Sequence, residues 1–191
     1  MKQIISLFIL ILICQLAVAQ NWMTERYFKN GIPEAQTIAD TLKYEMKLAQ
    51  GSHAGNFVFQ RTDNDSWDSL QSLRGKTALL SFWQSGCLPC VKELPDLAKI
   101  QTEFETAGLV LLLITPEDKA RQEKFFAKNK LSIGGLKGTM PYSNYLPPFQ
   151  CMINPTGYIV DSDGIIRDSW MGAQTYESLK NRLHEFLASK K

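Results

Sequence analysis

Residues 77–95 read TALLSFWQSGCLPCVKELP, and this stretch decides the fold. Residues 77–83 are apolar apart from Thr77 and Ser81, which is the length and composition of a strand buried on both faces. Gln84-Ser85-Gly86 then make a short connection, and Cys87-Leu88-Pro89-Cys90 follows at once. From Leu88 the apolar spacing turns helical: Val91, Leu94, Leu97, Ala98 and Phe104 mark a buried side as far as about residue 106, and Gly108 ends it. A buried strand therefore runs straight into a helix, with a cysteine pair at the junction.

Downstream, residues 109–114 (LVLLLI) form the next buried strand, parallel to the first because a helix separates them. Thr115-Pro116-Glu117-Asp118 has the parts of a helix start, with Thr115 as the hydroxyl cap, and that helix runs to about Asn129. Residues 132–152 hold Gly134, Gly135, Gly138, Pro141, Pro147 and Pro148 and read mostly as loop. Residues 157–161 and 165–170 make a hairpin around Asp163-Gly164. Thr175 caps a last helix with Tyr176, Leu179, Leu183, Phe186 and Leu187 on its apolar face. Upstream, residues 56–59 read as a short strand, and residues 67–73 lead into the turn Arg74-Gly75-Lys76. The order β, α, β, α, hairpin, α gives an α/β fold: a central mixed β-sheet with helices on both faces.

Residues 1–20, MKQIISLFILILICQLAVAQ, differ from everything after them. Lys2 supplies a positive start, an apolar run follows, and Ala17-Val18-Ala19 has the small-x-small cleavage pattern of a secretory signal peptide. Gln15 and Gln20 cut the run below the roughly 20 apolar residues of a spanning helix. Cys14 is a poor lipoprotein acylation site, since bulky Ile13 precedes it. The expected division is a signal peptide over residues 1–19, an N-terminal extension over 20–51 and the α/β domain over 52–191. In the extension Ile38, Leu42, Met46 and Ala49 fall at helical spacing, while Leu42, Tyr44, Met46 and Leu48 alternate as a strand would; the helix is preferred. Cleavage after Ala19 implies a periplasmic protein, with membrane anchoring the lesser alternative.

The 191 residues are 45% hydrophobic and 21% charged, which is globular composition. Lys and Arg number 21 against 19 Asp and Glu, so a net charge of +2 gives no electrostatic case for nucleic acid. Nothing points to an oligomer, so a monomer is expected.

The location of Cys87 matters more than the four-letter pattern. A helix N-terminus offers unpaired N–H groups and partial positive charge, which stabilise a thiolate. Cys87 is expected exposed at the helix tip and Cys90 one turn deeper. Cys87 attacks a substrate disulfide, a mixed disulfide forms, and Cys90 resolves it. Pro89 fits the first turn, where its missing N–H costs nothing. A zinc site needs further ligands that Cys151, His53 and His184 do not supply, so no metal is expected. Covalent haem attachment wants histidine after the second cysteine, where Val91 stands, and no other cofactor is called for. A structural disulfide closing so small a loop adds little stability. A redox-active pair is what remains.

LLSFWQSGCLPCVKELP resembles the active-site segment of the thioredoxin superfamily, most of all its exported TlpA/ResA branch of thiol–disulfide oxidoreductases. Phe82, Trp83, Cys87, Cys90, Glu93 and Pro95 occupy the branch's positions, and residues 155–166 (PTGYIVDSDGII) resemble its proline, strand, Asp-x-x-Gly turn and strand. The resemblance covers residues 55–191 and implies a thioredoxin-like fold. It also implies that Pro155 is a cis-proline facing the cysteine pair, with Asn154 setting part of the substrate contact. Trp83, Leu88 and Pro89 would complete that surface, Trp83 as both core and wall. Thioredoxins carry a buried acid where Ser81 stands; Glu93 either takes over as proton acceptor for Cys90, as the resemblance implies, or is a solvated helix carboxylate. Many relatives have an aromatic residue where this chain has Gly86. Cys151 is either a third redox thiol or, more in keeping with a lone cysteine, a small buried hydrophobe.

The implied function is reduction of partner-protein disulfides, because proline before the second cysteine and no histidine between the pair resemble reductants, as in cytochrome c maturation. Its partners would be protein thiols and disulfides, and an upstream membrane or periplasmic electron donor. Rival readings are a disulfide oxidase or isomerase, and a redox-inactive thioredoxin-like binding module. A thiol peroxidase would need Thr and Arg clustered with its cysteine, and none precedes Cys87.

Overall fold

The computed structural model describes residues 50–55, 58–141 and 153–188. The residues read as a signal peptide, nearly all of those read as an N-terminal extension, Cys14 and Cys151 lie outside the described residues. The strands are β1 (Val58–Arg61), β2 (Trp67–Ser69), β3 (Thr77–Phe82), β4 (Leu109–Thr115), β5 (Leu136–Thr139), β6 (Thr156–Val160) and β7 (Ile166–Met171). The helices are α1 (Leu88–Phe104), α2 (Lys119–Lys128) and α3 (Tyr176–Ala188), with a 3-10 turn at Leu70–Leu73.

The two continuous apolar runs make the centre of the sheet because neither has a polar face to show to water. β3 is buried along its whole length and pairs in parallel with β4, from Thr77↔Leu109 to Phe82↔Ile114. On its other edge β3 pairs antiparallel with β6, and β6 with β7. The sheet order is β2-β1-β5-β4-β3-β6-β7, and it is mixed as the sequence implies. The architecture is α/β and thioredoxin-like.

Alternation along β3 divides the core. Ala78, Leu80 and Phe82 pack with Leu112, Ile114, Tyr158 and Val160, under Leu70 and Leu73 of the 3-10 turn. Leu79 and Trp83 point the other way, onto Leu94, Leu97 and Ile100 of α1 and Leu179 and Leu183 of α3. Each fully buried Leu or Ile here contributes on the order of 1.5–3 kcal/mol by leaving water.

Several boundaries differ from the expectation. β5 forms inside the stretch read as loop, paired in parallel with β4 and antiparallel with β1. Its Gly138 is required: a Cβ there would run into the Phe59 ring. The cap of α2 is Asp118, whose carboxylate accepts the Arg121 N–H at 2.8 Å, whereas Thr115 is still the last residue of β4. Val91 and Ala98 of α1 are only half-buried, and its inner face is Cys90, Glu93, Leu94, Leu97, Ile100, Gln101 and Phe104. Gly108 ends this segment in the left-handed conformation at φ 84°.

Candidate active site

The end of β3, the first turn of α1 and the start of β6 meet at one end of the central strands. Cys87 is the N-cap of α1, with extended backbone. Its sulfur is bonded to Cys90 in a disulfide and accepts the Cys90 backbone N–H at 3.3 Å. That N–H is one of the orphan donors of the helix terminus, and aimed at Sγ it favours the negative sulfur left after reduction. Cys87 is half-buried while Cys90 is 1% exposed, so the two sulfurs differ in access in the way attack and resolution require.

Across the cleft the Asn154–Pro155 bond is cis. The Cys87 sulfur lies 3.5 Å from the Asn154 carbonyl oxygen, so a backbone edge sits directly beside it. Pro155 is buried and Asn154 half-buried. Leu88 and Pro89 stand exposed at the helix tip, Leu88 to 65%. Trp83 is fully buried against Phe125 and Phe126, with ring centroids 5.2 and 5.3 Å away. It therefore packs in the core with Cys90 and offers no surface to a substrate, which corrects the expectation of a wall.

Glu93 is the only Asp, Glu, Lys, Arg or His among the buried described residues. It lies one turn beyond Cys90 on the inner face of α1 and accepts the Gln174 backbone N–H at 3.0 Å. Burial pushes its carboxyl up to about 7, against the pull of that N–H and of the nearby Trp170 indole. The indole N–H approaches the carboxylate without the geometry of a full hydrogen bond. A carboxyl that titrates near neutrality in a redox site is suited to moving a proton. Ser81 is buried and its hydroxyl has no hydrogen-bond partner among the described residues; β3 (TALLSF) itself brings no acid to the site.

Sequence reasoning did not identify three supports of this site. Gln174 and Trp170 come from the other end of the domain, and no local spacing connects them to Glu93. The third is Glu117, whose carboxylate takes the Ser85 backbone N–H at 3.1 Å and the Ser85 hydroxyl at 2.7 Å, while Arg121 ion-pairs with it at 3.1 Å. That clamp fixes the connection leading into Cys87. Among the described residues no cluster of His, Cys, Asp and Glu could hold a metal ion, and no helix is long and apolar enough to cross a membrane.

The sequence profile of the AhpC/TSA family matches residues 50–169. The thioredoxin-like protein YneN of Bacillus subtilis is 29% identical over 74% of this chain and 82% of its own. A thiol-disulfide oxidoreductase ResA of Bacillus cereus is 28% identical over 73% of this chain and 79% of its own. A solution structure of a thiol:disulfide interchange protein from Bacteroides sp. has the same fold, with a TM-score of 0.63 at 22% identity over 73% of this chain and 91% of that one.

Proposed function

The chain belongs to the AhpC/TSA family, and on that premise we propose that it is an exported thiol–disulfide oxidoreductase that reduces disulfides of partner proteins. One observation carries the reading: the accessible sulfur of the pair, Cys87, sits on a helix N-terminus and 3.5 Å from the Asn154 carbonyl. An extended substrate strand can lie along that edge and bring its own disulfide to Cys87. The names of the ResA and YneN relatives favour the same class.

In the reduced protein the Cys87 thiolate attacks one sulfur of the substrate disulfide, whose other sulfur leaves as thiolate. Cys90 then gives its proton to Glu93 and attacks the Cys87 sulfur of the mixed disulfide. The Cys87–Cys90 bond forms, two electrons have passed to the substrate, and both of its sulfurs are free. An upstream membrane or periplasmic donor restores the dithiol. Leu88, Pro89 and Asn154 form the rim that the substrate meets, and buried Pro155, through its cis bond, sets the direction of the Asn154 carbonyl. Export rests on residues 1–20, and a mature chain beginning at Gln20 is the expected product. Maintenance of exported thiols, as in cytochrome c maturation, suits a reductant of this kind.

Redox titration of the cysteine pair against glutathione tests the direction. A potential near that of thioredoxin, about −270 mV, supports the reductase; one near −120 mV would make the protein an oxidase.

A further inference from the structure

Beside the cysteine pair, a groove of about 740 Å³ runs between the start of α1 and the outer side of α2. One wall is Leu88 and Val91, and the other carries Arg121, Lys124, Phe125 and Lys128. Arg121 is committed to Glu117, but Lys124 and Lys128 stand exposed one helical turn apart, with no acidic partner among the described residues. Gly86 borders the groove next to Cys87. A Cβ there would meet nothing within 4 Å, so packing does not require the glycine, and its bare backbone leaves the groove open up to the attacking sulfur.

The geometry points to this groove as the docking site for the protein substrate: an extended segment next to the target disulfide, with an apolar side chain on Leu88 and Val91 and Asp or Glu side chains facing Lys124 and Lys128. This rests on the oxidoreductase reading above and names the substrate class. Leu88 supplies the apolar contact: a leucine 65% exposed at the tip of the catalytic helix leaves water when the segment docks. The two lysines supply selection, because unpaired cations beside a cleft attract acidic segments and speed their encounter.

The full chain, reduced, is mixed with two synthetic peptides closed by the same disulfide loop, one flanked by four Asp and the other by four Lys. The Asp peptide is expected to be reduced about ten-fold faster at low salt, with the gap closing in 0.5 M salt as the charges are screened. Lys124→Glu/Lys128→Glu is expected to reverse the order. Equal rates at low salt, the result if another occupant fills the groove, or an unchanged order in the double variant would overturn the proposal. Reduction of 2-hydroxyethyl disulfide by the wild type separates the two failures. If that small neutral disulfide is reduced but the peptides are not discriminated, the docking site is wrong; if it is not reduced either, the oxidoreductase reading falls.

Discussion

The Glu93 carboxylate accepts the backbone N–H of Gln174 at 3.0 Å, joining the helix that carries the cysteines to the loop after β7. The bond satisfies one oxygen of a carboxyl that is 3% exposed, yet burial still holds its pKa near 7. A group whose folded pKa lies above its ordinary value stabilises the protein below the ordinary value. It loses that contribution as pH rises through the folded one.

Stability should therefore fall between about pH 4.5 and pH 7 by roughly 1–3 kcal/mol from Glu93 alone. Glu93→Gln keeps an acceptor for the Gln174 N–H and carries no charge. Urea midpoints at pH 5 and pH 8 are expected to differ markedly less in this variant. In turnover, Glu93→Gln should slow resolution by Cys90 at pH 7 by about ten-fold or more, with recovery above the ordinary thiol pKa of about 8.5. A variant with wild-type resolution kinetics at pH 7 would show that the carboxyl moves no proton.

Trp170 is held above that carboxyl from two sides. Gly157 lies under its ring, where a Cβ would collide with the indole, and the Arg182 guanidinium stacks 5.0 Å from its centroid. Trp170→Phe removes the indole N–H that favours ionisation, so the Glu93 pKa should rise above 7. The pH midpoint of resolution would move up with it. Gly157→Ala drives a methyl into the ring and should cost about 1–3 kcal/mol in chemical denaturation.

Glu117 serves the loop before Cys87. Glu117→Ala strands the Ser85 N–H, removes the acceptor of the Ser85 hydroxyl and leaves Arg121 only its 3.3 Å contact to that hydroxyl, at an expected cost of about 1–3 kcal/mol. The rate of attack by Cys87 should fall as well, because its approach is no longer fixed. Glu117→Gln can still accept from Ser85 and should recover most of the stability. Denaturation midpoints and stopped-flow rates for the two variants together check this.

What the sequence made legible was whatever its own spacing determines. Residues 77–83, apolar apart from Thr77 and Ser81, and residues 109–114, apolar throughout, read as central strands, and the cysteines at the strand–helix junction pointed to the candidate site. β5 was not legible because LKGT has two glycine-flanked polar positions and no periodic face; it is a strand only because β4 and β1 offer it edges. Thr115 looked like a cap because its hydroxyl precedes a proline, but β4 extends through it, and the free amide goes to Asp118 instead. The depth of Glu93 depends on where α3 and β7 pack, which no local pattern encodes. Trp83 sits next to the catalytic turn in sequence, yet the strand's alternation turns it inward.

In the proposed mechanism Cys87 attacks and Cys90 resolves. Full-length Cys90→Ser, expressed with residues 1–20 in a bacterial host, tests this most directly. The expected result is disulfide-linked adducts through Cys87 that dissociate on reduction and are lost in Cys87→Ser/Cys90→Ser. Absence of any such adduct, with Cys87→Ser retaining full function, would contradict it.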